Sequence, residues 1–266
     1  MVQIQNVAFG YDAARPVLRD VSLSIARGSV VGIMGQSGCG KTTLLRIIAA
    51  QYLPSGGTAR VLGEATSGLD REALYRMRRR MGMLFQFGAL YTDLSVFDNV
   101  AFQMREHTRL PESMIRDLVL MKLNAVGLRG AQDLMPSELS GGMARRVALA
   151  RAIALDPMLI MYDEPFTGLD PISMGVISNL IRRLNDTLGA TAIIVTHDVQ
   201  ETLRIVDYVY FMADGVVVAQ GTPDEIRRSA TPFVHQFVWG EMDGPMPFHY
   251  PGGTYGRDLA LERQHA

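Results

Sequence analysis

Hydrophobic and polar positions alternate at the start of the chain. Val2, Ile4, Val7 and Phe9, then Leu18, Val21, Leu23 and Ile25, are separated by polar residues. This predicts two half-buried antiparallel strands, 2–9 and 18–25, around a turn at Tyr11-Asp12-Ala13-Ala14-Arg15-Pro16. The next apolar run is continuous. Ser29-Val30-Val31-Gly32-Ile33-Met34 reads as a buried strand, and the residues from Lys41 through Leu44, Leu45, Ile47 and Ile48 to Ala50 as a helix. Pro54-Ser55-Gly56-Gly57 breaks the chain, and strands at 60–63 and 81–86 are predicted around a helix over 70–80.

From about 88 to 155 the apolar period becomes helical. Val96, Val100 and Met104 repeat at four, Pro111 opens a helix with the stripe Met114, Ile115, Leu118, Val119 and Leu123, and a third helix over 142–154 stops at Asp156-Pro157. The apolar runs 158–163 and 190–195, separated by a helix over 172–188, have the form of buried parallel strands. The segment 208–218 reads as a hairpin around Asp214-Gly215, and Thr222-Pro223-Asp224-Glu225 as a capping box opening one more helix.

Composition narrows the function classes. A chain of 266 residues with 48% apolar content can bury one sizeable core with a small subdomain. A formal net charge of −1 argues against a nucleic-acid binder, whose affinity scales with cationic phosphate contacts. The single cysteine, Cys39, excludes an intramolecular disulfide. The first residues carry no basic region followed by an apolar run, and no stretch reaches bilayer-spanning length. The expectation is a protein that stays in the cytoplasm, so that any membrane role needs a partner that spans the bilayer. The arginines 76, 78, 79 and 80 read most simply as a solvated helix end, with a membrane-surface or partner role as the alternative.

The candidate chemistry starts at Gly35-Gln36-Ser37-Gly38-Cys39-Gly40-Lys41-Thr42, followed by Thr43, which fits G-x-x-x-x-G-K-[ST] between a predicted strand and a predicted helix. Glycines let successive amides turn inward, the helix N-terminus adds partial positive charge, Lys41 suits the β- and γ-phosphates, and Thr42 suits Mg²⁺. The fold class is therefore α/β, a P-loop NTPase with a parallel sheet core, an N-terminal antiparallel β-subdomain and a helical insertion. Asp163 and Glu164 end an apolar strand, where an open α/β sheet places its ligand crevice. Asp163 suits Mg²⁺ and Glu164 the activation of water. Ser140, Gly141 and Gly142 open a helix and offer a second phosphate-type site.

Tyr11, residues 35–42, Gln86, residues 139–143, Asp163-Glu164 with Asp170, and His197 occur in the order found in ATP-binding-cassette (ABC) ATPases. Over roughly 2–238 the chain resembles that family. The resemblance implies the ABC ATPase fold, with ATP and Mg²⁺ bound in a head-to-tail homodimer. Tyr11 would stack on adenine, and Gln86 would contact Mg²⁺ and water while sensing the membrane partner. Ser140, Gly141 and Gly142 would bind the γ-phosphate of the opposite protomer, Asp170 would bridge the two sites, and His197 would hold γ-phosphate and water. Each has a plain structural alternative, a surface aromatic for Tyr11 or a strand-end histidine for His197. Met143 stands where glutamine is commonest in the family.

Residues 85–102, 140–146 and 159–170 are similar to the ATPases of Mla-type phospholipid transporters. That likeness implies a permease dimer, an MCE-domain lipid-binding ring, a small STAS-domain subunit on the helical insertion, phospholipid as the substrate handled, and a place for the ATPase on the cytoplasmic face of the inner membrane. Phe87, Leu90 and Phe97 would face the permease, with a core role as the alternative. Competing classes are the ATPase of another MCE-type or small-solute transporter and a soluble ABC ATPase without a permease. The domain division expected is 1–239 for the ATPase, with the helical subdomain at about 88–155, and a C-terminal extension 240–266. In that extension Phe248, His249, Tyr250 and Tyr255 interrupt a Pro/Gly-rich run, which favours burial against another surface. The resemblance implies an extension that crosses to the neighbouring ATPase, with a mobile tail as the alternative.

Overall fold

The computed structural model describes residues 1–12, 15–86 and 88–246. Strands β1 (Val2–Asp12) and β2 (Arg15–Ile25) pair antiparallel, with Val2 opposite Ile25 and Ile4 opposite Leu23. Strand β3 (Val30–Gly35) runs into helix α1 (Lys41–Ile48), and β4 (Gly56–Val61) and β5 (Glu64–Ala65) complete a sheet of order β2-β1-β4-β5. Helix α2 (Arg71–Arg78) then leads to β6 (Met81–Leu84).

Helices α3 (Val96–His107), α4 (Glu112–Ala125) and α5 (Gly141–Ala152) follow and pack on one another. The chain returns through β7 (Leu159–Asp163), α6 (Pro171–Leu188), β8 (Thr191–Thr196), α7 (Val199–Ile205), β9 (Tyr208–Ala213) and β10 (Val216–Gly221). Short α8 (Pro223–Arg227) and α9 (Pro232–Trp239) close it. The second sheet has the order β10-β9-β3-β8-β7-β6 and is parallel except for β10. Its parallel strands are apolar on both faces because both are covered. Val31, Ile33, Met161 and Ile193 face a core shared with α1 and the antiparallel sheet, while Met34, Ile160, Tyr162 and Ile194 face the helices α3 to α6.

Four sequence expectations change. Gly56 and Gly57 begin β4 rather than break the chain, because β4 lies against the bulged part of β1: Gly57 has φ 78°, and a Cβ there would meet the Asn6 carbonyl oxygen at 2.2 Å. The arginine run is not simply solvated. Arg78 donates to the carbonyls of Ala49 and Ala50 beyond α1, Arg79 to His107 at the end of α3, and Arg80 pairs with Glu64 at 3.2 Å, so three neighbours tie down three elements. Met114 points outward from α4 while Ile115, Val119 and Leu123 carry its buried face. Finally, α7 and α9 were not anticipated. Of the expected extension, 240–246 is described: Gly240 ends α9 in the left-handed region, and Gln236 holds Met246 through amide bonds of 2.9 and 3.0 Å. Its aromatic residues, Phe248, His249, Tyr250 and Tyr255, lie outside the described residues.

Candidate nucleotide site

Helix α1 has no side-chain cap. Its N-cap is Gly40, at φ 103°, so its first amides stay open to a ligand. The Lys41 side chain is 5% exposed and folds back over the loop, donating to the carbonyls of Gly35 at 2.8 Å and Gln36 at 3.0 Å. From the end of β7, across β8 from β3, Asp163 accepts the Thr42 hydroxyl at 3.0 Å. Burial pushes the Asp163 carboxyl above its ordinary value, opposed first by that Thr42 bond. A hydroxyl and a carboxylate already touching are hard oxygen donors suited to Mg²⁺.

Glu164 leaves β7 in the left-handed region, at φ 49°, with its amide bonded to the Val195 carbonyl at 2.8 Å. That turn brings its carboxylate back between two partners. Oε1 lies 3.9 Å from Lys41 Nζ, and Oε2 lies 2.9 Å from Nδ1 of His197, which follows β8. Tyr11 reaches the site from β1, its hydroxyl 3.0 Å from Thr43 Oγ1. Its ring packs edge to face with Phe9 and Tyr52, centroids 5.2 and 5.6 Å away, and stays exposed. A cavity of about 370 Å³ is bounded by Tyr11, Val17, Ser37, Gly38, residues 40–43, Gln86 and Glu164.

Not every expected residue lies there. Gln36 and Cys39 line a neighbouring depression with Arg19 and Asp214, and burial pushes the Cys39 thiol up, which works against the alkylation sensitivity its place in the loop suggests. Ser140 caps α5, accepting the Met143 amide at 3.3 Å, and Asp170 caps α6, accepting the amides of Ile172 and Ser173 at 2.9 and 3.0 Å. Gly142 faces Ser173 in a separate shallow cavity. One protomer thus gathers Tyr11, Lys41, Thr42, Gln86, Asp163, Glu164 and His197, and holds 140–142 and Asp170 apart from them.

The loop after β6 is held by residues of α3 and α5 that sequence patterns missed. Arg145, 7% exposed, donates to the carbonyls of Phe85 at 3.1 Å, Gln86, and Thr167 at 3.1 Å. Arg151 donates to Gly88 at 2.7 Å and Ala89 at 2.8 Å. Fully buried Asn99 bonds the backbone of Tyr91, Leu94 and Ser95. No motif signals such bonds, because their partners are main-chain groups. The loop borders a groove of about 380 Å³ with Phe85, Ala89, Tyr91, Gln103 and Arg151 in its walls. Leu90 and Phe97, expected to face a partner, are half-buried against the core, and Phe87 lies outside the described residues. Among the described residues no helix is long and apolar enough to cross a membrane.

The sequence pattern of the ABC transporter family matches residues 18–167. The chain is 55% identical, over 97% of its length and 98% of that protein, to the intermembrane phospholipid transport system ATP-binding protein MlaF of Haemophilus influenzae. It is 52% identical to the Escherichia coli K12 protein of the same name, over 97% of the chain and 96% of that protein. Among solved structures, the dimeric ATP-binding cassette MJ0796 bound to ADP and Pi superposes with a TM-score of 0.77 at 32% identity, covering 84% of this chain and 99% of that one.

Proposed function

The chain belongs to the ABC transporter family of ATP-binding subunits, and from that premise we propose that it hydrolyses ATP to drive intermembrane phospholipid transport. Residues 1–239 form the ATPase, 88–155 its helical subdomain, and 240–266 a C-terminal extension. The observation that carries the reading is the meeting of Lys41, the Thr42–Asp163 pair, Glu164 and His197 where β3, β7 and β8 end. Tyr11 stacks on adenine, the open amides of α1 and Lys41 take the phosphates, and Glu164, turned by its backbone and held by His197, accepts the proton of the attacking water. Thr42 and Asp163, with Gln86 nearby, are the residues to hold Mg²⁺, which would neutralise phosphate charge. Because 140–142 and Asp170 stand outside this cavity, they complete the site of a second copy, a reading supported by the dimeric cassette it resembles. The likeness to phospholipid-transport ATPases supports a permease dimer, an MCE-domain ring and a STAS-domain subunit as partners.

The test is the complex reconstituted into vesicles with a labelled phospholipid. Glu164→Gln should keep ATP binding while ATPase and lipid transfer both fall by roughly 10²-fold or more. Near-normal turnover in that variant would remove Glu164 from the chemistry, and a wild-type complex that hydrolyses ATP without moving phospholipid would overturn the substrate.

A further inference from the structure

Arg145 is a buried cation that no carboxylate pairs with among the described residues. Desolvating a guanidinium is costly, and its charge-assisted bonds to main-chain carbonyls roughly offset that cost, so the arrangement leaves little net stability. What the arrangement does provide is geometry. Nη1 grips Phe85 and Gln86, at the base of the loop after β6, and Nη2 grips Thr167, three residues beyond Glu164. Thr167 in turn bonds the Glu164 turn, its amide to the Glu164 carbonyl at 3.4 Å and its hydroxyl to Oε2 at 3.5 Å. Arg145 itself stands in the second turn of α5, five residues after the helix-capping Ser140.

We propose that Arg145 is a positioning residue for hydrolysis: its planar fork locks the Gln86 loop and the Glu164 turn to the helix that begins at Ser140. Movement of that helix then moves both loops together, so engagement of Ser140 by a neighbouring protomer's nucleotide is felt at this protomer's own hydrolytic end. A lysine cannot reproduce this, because one ammonium lacks the two-sided fork that spans both loops. The inference rests on the site reading above, in which Gln86 and Glu164 serve catalysis.

The assembled complex is compared as wild type, Glu164→Gln, Arg145→Met, Arg145→Lys, Gln86→Ala and the Gln86→Ala/Arg145→Met double variant, reading kcat, KM for ATP and Tm. Arg145→Met should lower kcat about 10- to 100-fold, the scale of a small misplacement of catalytic groups, with KM within twofold and Tm within a few degrees. Arg145→Lys should recover kcat only in part. The double variant should lose less than the product of the single losses, because Arg145 acts partly through Gln86. Unchanged kcat in Arg145→Met, strictly multiplicative losses, or a KM that rises and a Tm that falls in step with the loss of kcat would overturn the proposal. Should Arg145→Met not fold, Arg145→Lys carries the same test, and wild-type kcat in it would overturn the proposal as well. Glu164→Gln separates the two readings: normal turnover there defeats the site assignment, whereas its loss beside an unaffected Arg145→Met defeats only this inference.

Discussion

Residues 36–40 and 85–95 leave the carboxyl ends of two strands of one sheet, β3 and β6, and both border the nucleotide cavity. The first is short and organised from within: its glycines take backbone conformations closed to other residues, and the lysine that follows returns to bond its own carbonyls. The second is longer, has no regular structure among its described residues, and is held from outside by Asn99 on α3 and by Arg145 and Arg151 on α5. A loop set by its own backbone can only be right or broken. A loop set by side chains from another layer follows that layer when it moves, which suits a segment lying between the groove at Phe85 and Tyr91 and the nucleotide cavity.

The sharpest way to break this comparison is at Gly35. It has φ 145°, and a Cβ there would stand 2.1 Å from the Met212 carbonyl oxygen on β9, a backbone atom that cannot step aside. Gly35→Ala should therefore destabilise the fold by at least about 3 kcal/mol and abolish ATP binding. Titration calorimetry with ATP and urea unfolding check it, and near-normal binding would show that the first loop is not set by its backbone.

The second loop should fail differently. Asn99→Ala removes an amide that donates to Tyr91, Leu94 and Ser95 and accepts from the Tyr91 amide, leaving buried main-chain groups unpaired. The expected loss is about 2–3 kcal/mol, with ATP binding kept within about threefold. Hydrogen exchange should accelerate at the amides of residues 90–95. Unchanged protection there would mean that the order of the loop does not come from α3.

The same contrast explains what could be read from the sequence. Residues 35–42 were legible because a phosphate cradle needs glycine where the backbone needs it, and Asp163-Glu164 because an apolar strand ends there. The hairpin around Asp214-Gly215 and the capping box at Thr222 were legible for the same local reason. The helix Pro232–Trp239 was missed although Pro232 stands at its start and Gly240 at its end, signals that would have found it. The arginines at 78, 79, 145 and 151 were not legible. Their partners are carbonyls, which every residue carries, so neither the distance along the chain nor the identity of the acceptor leaves a trace in the sequence.

The smallest effect belongs to β7, one of the two strands between those that feed the loops. Tyr162 on β7 stands opposite Leu84, near the origin of the second loop, and immediately before Asp163, which bonds Thr42 of the first. Its hydroxyl is fully buried with no hydrogen-bond partner among the described residues, and burial pushes the phenol well above its usual value. An unpaired buried hydroxyl costs roughly 1–3 kcal/mol of desolvation, and its removal leaves a void smaller than a methyl group and little lost packing. Tyr162→Phe should therefore be neutral or more stable by up to about 1 kcal/mol, with ATPase unchanged. Differential scanning calorimetry beside a steady-state ATPase assay decides it. A clear loss of both stability and turnover would mean that the hydroxyl meets a partner in the working protein, and that β7 links the two loops instead of separating them.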